Sequence, residues 1–112
     1  MELAVLREEI VSDLTTELLL TDANFSRELL EAKVRAAIRE VMNARRYPGS
    51  YSEDRISADM ENYYINIRNI ARYDYNMIGA EGQKQSSENG IARVYVDRGS
   101  LFSGITPIAR VY

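Results

Sequence analysis

A helical pattern of apolar positions extends from Ser52 to Ile78. Its apolar residues recur at steps of three, four and seven positions, at Ile56, Met60, Tyr63, Ile67, Ile70 and Met77. Because an α-helix turns once in 3.6 residues, this spacing places these side chains on one face. We therefore predict a rod of about 40 Å, at about 1.5 Å per residue, with Gly79 as its C-terminal cap.

Two further helical patterns precede this rod. The first covers Met1 to about Leu20, and a bend is expected at Thr15-Thr16, since β-branched residues disfavour helix. The second runs to about Arg46, and its start is predicted at one of three capping residues, Thr21, Asp22 and Asn24. Tyr47-Pro48-Gly49 ends this helix, and the short connection predicts that it runs antiparallel to the rod.

The chain changes character after the rod. Residues 79–90 hold no large apolar side chain, so this polar loop is expected on the surface or against a partner. Ile91–Val96 follows the Asn89-Gly90 turn and is typical of a short strand. One helical turn is predicted from Ser100 to Phe102, ended by Gly104. An extended apolar tail, Ile108–Tyr112, is then expected to dock on its own domain or on a neighbour.

The length predicts a single domain over residues 1–112. The helical patterns predict that it is all-α, with a short N-terminal helix and two long antiparallel helices before the loop, extended segment and tail. Hydrophobic residues make up 46% of the chain and charged residues 28%, which is typical of a globular protein. The sequence has no cysteine and no histidine, so disulfides, thiolate metal sites and the commonest general base are excluded. The apolar run Leu18–Leu20 is too short to span a membrane. We expect a soluble protein of a reducing compartment, without metal, cofactor, catalytic site or membrane partner.

Charge is distributed unevenly along the chain. Residues 1–24 carry six acids and one arginine, whereas residues 25–50 carry six bases and three acids. These segments either pair within one chain, pair head-to-tail between chains, or form ordinary solvated helix faces. The basic residues of the second helix also leave a small DNA-binding or regulatory protein as an alternative, although the net charge of −3 argues against it. These residues are Arg27, Arg35, Arg39, Arg45 and Arg46.

The run from Ile70 to Gln83 (Ile-Ala-Arg-Tyr-Asp-Tyr-Asn-Met-Ile-Gly-Ala-Glu-Gly-Gln), with Ser87–Arg93 (Ser-Glu-Asn-Gly-Ile-Ala-Arg), resembles the head-tail connector, or adaptor, proteins of tailed bacteriophages and prophages. The likeness covers the last half of the chain, and the first half agrees only in its layout of helices. It implies a small helical structural protein whose copies form a ring beneath the portal, in isolation or only on the portal, and extend the DNA channel.

The resemblance also implies partners and a location. The partners are the portal protein, a tail-completion or stopper protein, and double-stranded DNA that passes through the ring without sequence-specific binding. The location is the head-tail interface of the virion, after assembly in the host bacterial cytoplasm. An interaction adaptor unrelated to phage is a further alternative.

The candidate interface lies at the end of the rod and in the polar loop. Asp74 stands where an apolar residue would continue the stripe, and it is either solvated or paired with an arginine of its own chain or of a neighbour, which would fix subunit register. The polar loop is either an ordinary surface loop or a segment that is mobile in the free subunit and becomes ordered against a partner. The candidate residues are Asp74, Tyr75, Gly79, Glu81, Gly82, Gln83, Ser87, Glu88, Asn89, Gly90 and Arg93.

Overall fold

The computed structural model describes residues 3–80 and 98–108. Within these residues the chain forms four α-helices: α1 (Leu3–Leu18), α2 (Arg27–Arg45), α3 (Glu53–Met60) and α4 (Tyr64–Ala80). Two 3₁₀ helices, Glu61–Tyr63 and Arg98–Phe102, complete the secondary structure of this part. The described residues contain no β-strand, and the all-α class predicted from the sequence is confirmed.

Helix α1 continues through Thr15 and Thr16, where the sequence predicted a bend. The Oγ1 atom of Thr16 donates a hydrogen bond of 3.2 Å to the carbonyl oxygen of Ser12, which ties this side chain to the preceding turn. Leu14 and Leu18, on either side of the two threonines, are buried in the core. Burial of two leucines outweighs the helix preference lost at two threonines, which is below about 1 kcal/mol per residue.

Helix α2 begins later than predicted. Its N-cap is Ser26, whose Oγ accepts a hydrogen bond of 3.3 Å from the backbone N of Leu29. The backbone N of Ser26 in turn donates to Oη of Tyr75 at 3.0 Å, so α4 also fixes where α2 starts. The cap is therefore none of the predicted residues Thr21, Asp22 and Asn24.

The predicted rod consists of two helices rather than one. Helix α3 begins at the N-cap Ser52, and the 3₁₀ turn Glu61–Tyr63 separates it from α4. A 3₁₀ turn has fewer residues per turn than an α-helix. It therefore rotates the apolar stripe of α4 about the helix axis relative to that of α3. Helix α4 continues through Gly79 to Ala80, and the prediction that Gly79 caps the rod was wrong. The backbone at Gly79 is helical rather than left-handed.

The long helices run in opposite directions, as predicted. Arg45 at the end of α2 contacts Asp59 in α3, whereas Ser26 at the start of α2 contacts Tyr75 near the end of α4. Most helix-to-helix packing is between α2 and α4, and α1 packs on both.

A single core fills the space between α1, α2 and α4. Met60, Ile67 and Ile70 belong to the predicted stripe and are fully buried. They meet fully buried side chains of the first two helices, namely Leu6, Ile10, Val11, Leu14, Leu30, Val34 and Val41. No helix among the described residues is both long and apolar enough to cross a membrane.

The 3₁₀ helix Arg98–Phe102 contains the predicted helical turn and begins two residues before Ser100. Gly104 follows with a φ of 86°, a left-handed conformation that glycine adopts without steric cost, and it ends this turn as predicted. The predicted strand Ile91–Val96 and all of the predicted tail except Ile108 lie outside the described residues.

Candidate functional site

Asp74 is paired with an arginine of its own chain. Nε of Arg98 donates to Oδ1 of Asp74, and Nη2 donates to Oδ2, both at 2.8 Å. The same guanidinium binds Glu40 of α2, with Nη2 to Oε2 at 2.5 Å and Nη1 to Oε1 at 3.3 Å. The side chain of Asp74 is only 18% exposed, so the solvated alternative was wrong. We call Glu40, Asp74 and Arg98 the Arg98 clasp.

The clasp binds residue 98, where the described chain resumes, to both α2 and α4. Hydrogen bonds to Asp74 and then to Glu40 raise the pKa of Arg98 above its usual value, which keeps the guanidinium charged. Its carbon centre also lies 5.7 Å from the centroid of the Phe102 ring. Bidentate arginine-carboxylate pairing fixes orientation as well as distance. The clasp therefore sets the position of the 3₁₀ helix that follows residue 97.

A second cluster joins α2 to α3. Asp59 accepts hydrogen bonds from Nε of Arg45 at 2.8 Å, from Nη2 of Arg45 at 3.1 Å and from Oη of Tyr47 at 2.6 Å. Nη1 of Arg45 donates to the carbonyl oxygen of Thr106 at 2.8 Å. The side chains of Arg45 and Asp59 are 15% and 22% exposed, the most enclosed ion pair of the described residues. This Arg45 cluster fastens the residues after the 3₁₀ helix to the end of α2.

Tyr75, another candidate interface residue, is buried. Its hydroxyl donates to Oδ2 of Asp22 at 2.8 Å and accepts from the backbone N of Ser26 at 3.0 Å. Its ring centroid lies 5.8 Å from that of Phe25. Tyr75 therefore joins the end of α4 to the connection between α1 and α2.

The acidic first segment pairs with the basic second segment at one point only in the described residues. Nη2 of Arg27 donates to Oε1 of Glu8 at 3.0 Å, and both side chains are largely exposed. Glu17 instead binds two arginines of α4, Arg72 at 2.5 Å and Arg68. Pairing among the described residues therefore accounts for little of the charge segregation along the sequence.

Three buried or half-buried tyrosines have pKa values above that of an ordinary phenol. Burial and then the hydrogen bond to Asp13 raise the pKa of Tyr64 to about 12, and burial also raises the pKa of Tyr47 and Tyr75. Folding favours the neutral phenol, so its stabilisation is complete below the unfolded pKa of about 10 and is lost as pH rises through the folded pKa.

We therefore expect the free energy of unfolding to fall above about pH 10, and Tyr64→Phe to make that fall shallower. Urea denaturation at a series of pH values, followed with tyrosinate absorbance, measures both. Tyr73→Phe is the control, because the hydroxyl of Tyr73 makes no hydrogen bond with the described residues. An unchanged pH profile for Tyr64→Phe would contradict the expectation.

Nine of the predicted interface residues cannot be placed by contacts. Gly79 lies one residue before the end of α4. The other eight, together with the polar loop beyond Ala80, lie outside the described residues: Glu81, Gly82, Gln83, Ser87, Glu88, Asn89, Gly90 and Arg93. Only Asp74 and Tyr75 are positioned by side-chain contacts, and they join different elements.

Sequence patterns did not reveal two grooves at the end of the bundle where α1 begins. One, the basic groove, has a volume of about 230 Å³ and is lined by Arg7, Arg35 and Arg39 around Leu3, Ile38 and Met42. The other, the acidic groove, has a volume of about 630 Å³ and is lined by Glu53 and Asp54 around Leu3, Met42, Ile56 and Ser57. Arg35 and Arg39 lie four residues apart on α2 and therefore share a face, but no local pattern linked Arg7 to them.

A third groove, of about 390 Å³, lies between Leu18, Leu29, Tyr75 and Ile78, at the other end of α1. Leu19 and Leu20 lie in the connection that follows α1 and are 59% and 84% exposed. In the described residues no group of three or more carboxylates is arranged to hold a metal ion.

The resemblance found in the sequence is carried mainly by the end of α4 and by residues that the structure does not describe. No protein-family model, no curated protein and no solved structure matches this chain.

Proposed function

We propose that this protein is a structural, non-enzymatic subunit of a bacteriophage or prophage head-tail connector, which forms a ring between portal and tail and continues the DNA channel. The observation that carries the proposal is that the residues on either side of 81–97 are held on the bundle. Ala80 ends α4, and Arg98 is bound to Asp74 and Glu40. The sequence that resembles the connectors, Ile70–Gln83 and Ser87–Arg93, covers the end of α4 and lies between these anchors.

Two fixed ends suit a segment that contacts neighbouring subunits, the portal or a stopper protein. Ordering a loop on a partner costs conformational entropy, and that cost is smaller when both ends are already held on a rigid support. Here the support is the α2–α4 pair, whose contact residues are buried in one core. An acidic net charge of −3 suits a channel subunit that DNA passes without tight binding.

Sedimentation of the protein over a wide concentration range, with and without a labelled DNA duplex, tests the proposal. We expect a discrete high-order species that leaves the duplex free, and a ring when this species is imaged. If isolated copies do not assemble, the ring should form on portal protein. A protein that assembles neither alone nor on portal would overturn the proposal.

Deletion of Glu81–Glu88 tests the segment itself. The deletion should abolish ring formation or portal docking and leave the helical circular dichroism unchanged, because the buried core of the described residues is built from α1, α2, α3 and α4. A replacement of residues 81–88 by glycine and serine at the same length is the control for loop length. Intact assembly of both variants would show that these residues have no such role.

A small DNA-binding protein is the second candidate, and the basic groove is the observation that favours it. Arg7, Arg35 and Arg39 present three positive charges on one side of the bundle. Phosphate contacts of this kind make duplex affinity fall steeply with salt. A monomer that shifts the duplex at moderate salt would favour this candidate over the connector.

A further inference from the structure

Three arginines without a side-chain partner among the described residues line one groove. Most described arginines bind a carboxylate or stack on an aromatic ring; Arg27, Arg45, Arg55, Arg68, Arg72 and Arg98 do so. By contrast, the guanidinium groups of Arg7, Arg35 and Arg39 make no ion pair, hydrogen bond or ring contact with the described residues, and all three line the basic groove. Like charges around one groove repel, so an anionic occupant would lower the electrostatic energy.

The floor of the basic groove limits the kind of occupant. Leu3, Ile38 and Met42 form an apolar surface below the guanidinium groups. An apolar floor gains free energy only when apolar surface covers it, and a phosphate backbone offers little such surface. The groove therefore favours a protein segment that combines carboxylates with an aliphatic side chain.

The chain itself presents such a segment in the acidic groove. Glu53 and Asp54 lie in the first turn of α3, are exposed, and form no ion pair with the described residues. Ile56 lies two residues further on and lines the same groove. Leu3 and Met42 line both grooves, so one apolar floor has a basic rim and an acidic rim.

We propose that a second copy of this chain docks at these grooves. The first turn of α3 of one copy, with Glu53 and Asp54, lies against Arg35 and Arg39 of the other, and Ile56 covers the apolar floor. Because both rims border one apolar floor, the contact is reciprocal: the same surface of each copy meets the other, and the two copies form a two-fold pair. This pair goes beyond the proposed function, since the contact that closes a ring has to use a different surface.

Reversal of the charges on each rim tests this contact. Two double variants should each stay monomeric at concentrations where the wild type associates: Arg35→Glu/Arg39→Glu and Glu53→Lys/Asp54→Lys. Because like charges then meet, the protein concentration at the midpoint of association should rise at least about tenfold. An equimolar mixture of the two variants should associate again. High salt should weaken the wild-type contact, since these charges are exposed.

The control is Glu9→Lys/Glu28→Lys, which makes the same change in net charge as Glu53→Lys/Asp54→Lys at two exposed acids that line neither groove. It should associate like the wild type. A cysteine pair gives a second measurement, because the natural chain has no cysteine. Arg39→Cys and Asp54→Cys, prepared separately, should form a disulfide-linked heterodimer on mixing.

The outcomes separate the contact from the proposed function. Association of both charge-reversed variants at the wild-type concentration, or a mixture that fails to associate, would overturn the contact and leave the connector proposal intact. A wild type that does not self-associate at low salt, alone or on portal, would overturn both. Loss of duplex binding by Arg35→Glu/Arg39→Glu, with association unchanged, would assign the groove to DNA instead.

Discussion

Asp59→Ala should lower the free energy of unfolding by about 2–3 kcal/mol, the largest effect we expect from a single charged residue. The change removes three hydrogen bonds, two from Arg45 and one from Tyr47. The Arg45 side chain is only 15% exposed, so water cannot replace its lost partner fully. The carbonyl oxygen of Thr106 and the Tyr63 ring, whose centroid lies 5.3 Å away, satisfy the guanidinium only in part.

Urea denaturation followed by circular dichroism measures this loss. Asp59→Asn should cost less than Asp59→Ala, because an amide oxygen still accepts one hydrogen bond. Glu61→Ala is the control, since Glu61 lies two residues further on and forms no ion pair with the described residues. A loss below about 0.5 kcal/mol for Asp59→Ala, the range of ordinary surface substitutions, would refute a stabilising role for the Arg45 cluster.

Arg98→Met should lower the free energy of unfolding by about 2 kcal/mol, and its effect should be concentrated in residues 98–108. The methionine retains much of the apolar stem but leaves Asp74, which is 18% exposed, and Glu40 without their shared cation. The two carboxylates then repel across the same space. Because Arg98 is the first residue of the segment 98–108 and ties it to α2 and α4, these residues should lose protection from amide exchange before the core does.

Urea denaturation measures the loss of unfolding free energy, and amide exchange followed by mass spectrometry measures the protection of residues 98–108. Asp74→Asn should give a smaller loss of about 1 kcal/mol, since Arg98 retains Glu40 and an amide oxygen. Arg55→Met is the matched control, because the Cζ atom of Arg55 lies 4.0 Å from the centroid of the Tyr51 ring and its guanidinium binds no carboxylate of the described residues. Equal exchange of residues 98–108 in the wild type and in Arg98→Met would rule out the clasp as their anchor.

The helices were largely predictable, and the errors lie at their ends. Periodicity placed Met60, Ile67 and Ile70 in the core because the spacing of a helical face depends only on local geometry. The start of α2 at Ser26 was missed, since Tyr75 fixes that residue from a distant part of the chain. The 3₁₀ turn Glu61–Tyr63 was missed because the apolar stripe continues across it.

The candidate site was predictable in part. Asp74 stood out because it interrupts an apolar stripe, and a carboxylate in that position needs a partner. Its partners could not be named, since Arg98 lies beyond the polar loop and Glu40 lies on another helix. The two grooves also depend on residues that come together only when α1, α2 and α3 pack.

The sequence by itself determined the helical class, the absence of histidine and cysteine chemistry, and the separation of acidic from basic segments. Each of these follows from composition or from local spacing. Only the tertiary structure decided which charges meet. Glu17 pairs with Arg68 and Arg72, and Arg98 pairs with two carboxylates. Three further arginines line one groove: Arg7, Arg35 and Arg39. Ion pairing depends on distances in space, and local spacing does not determine those distances for residues on different helices.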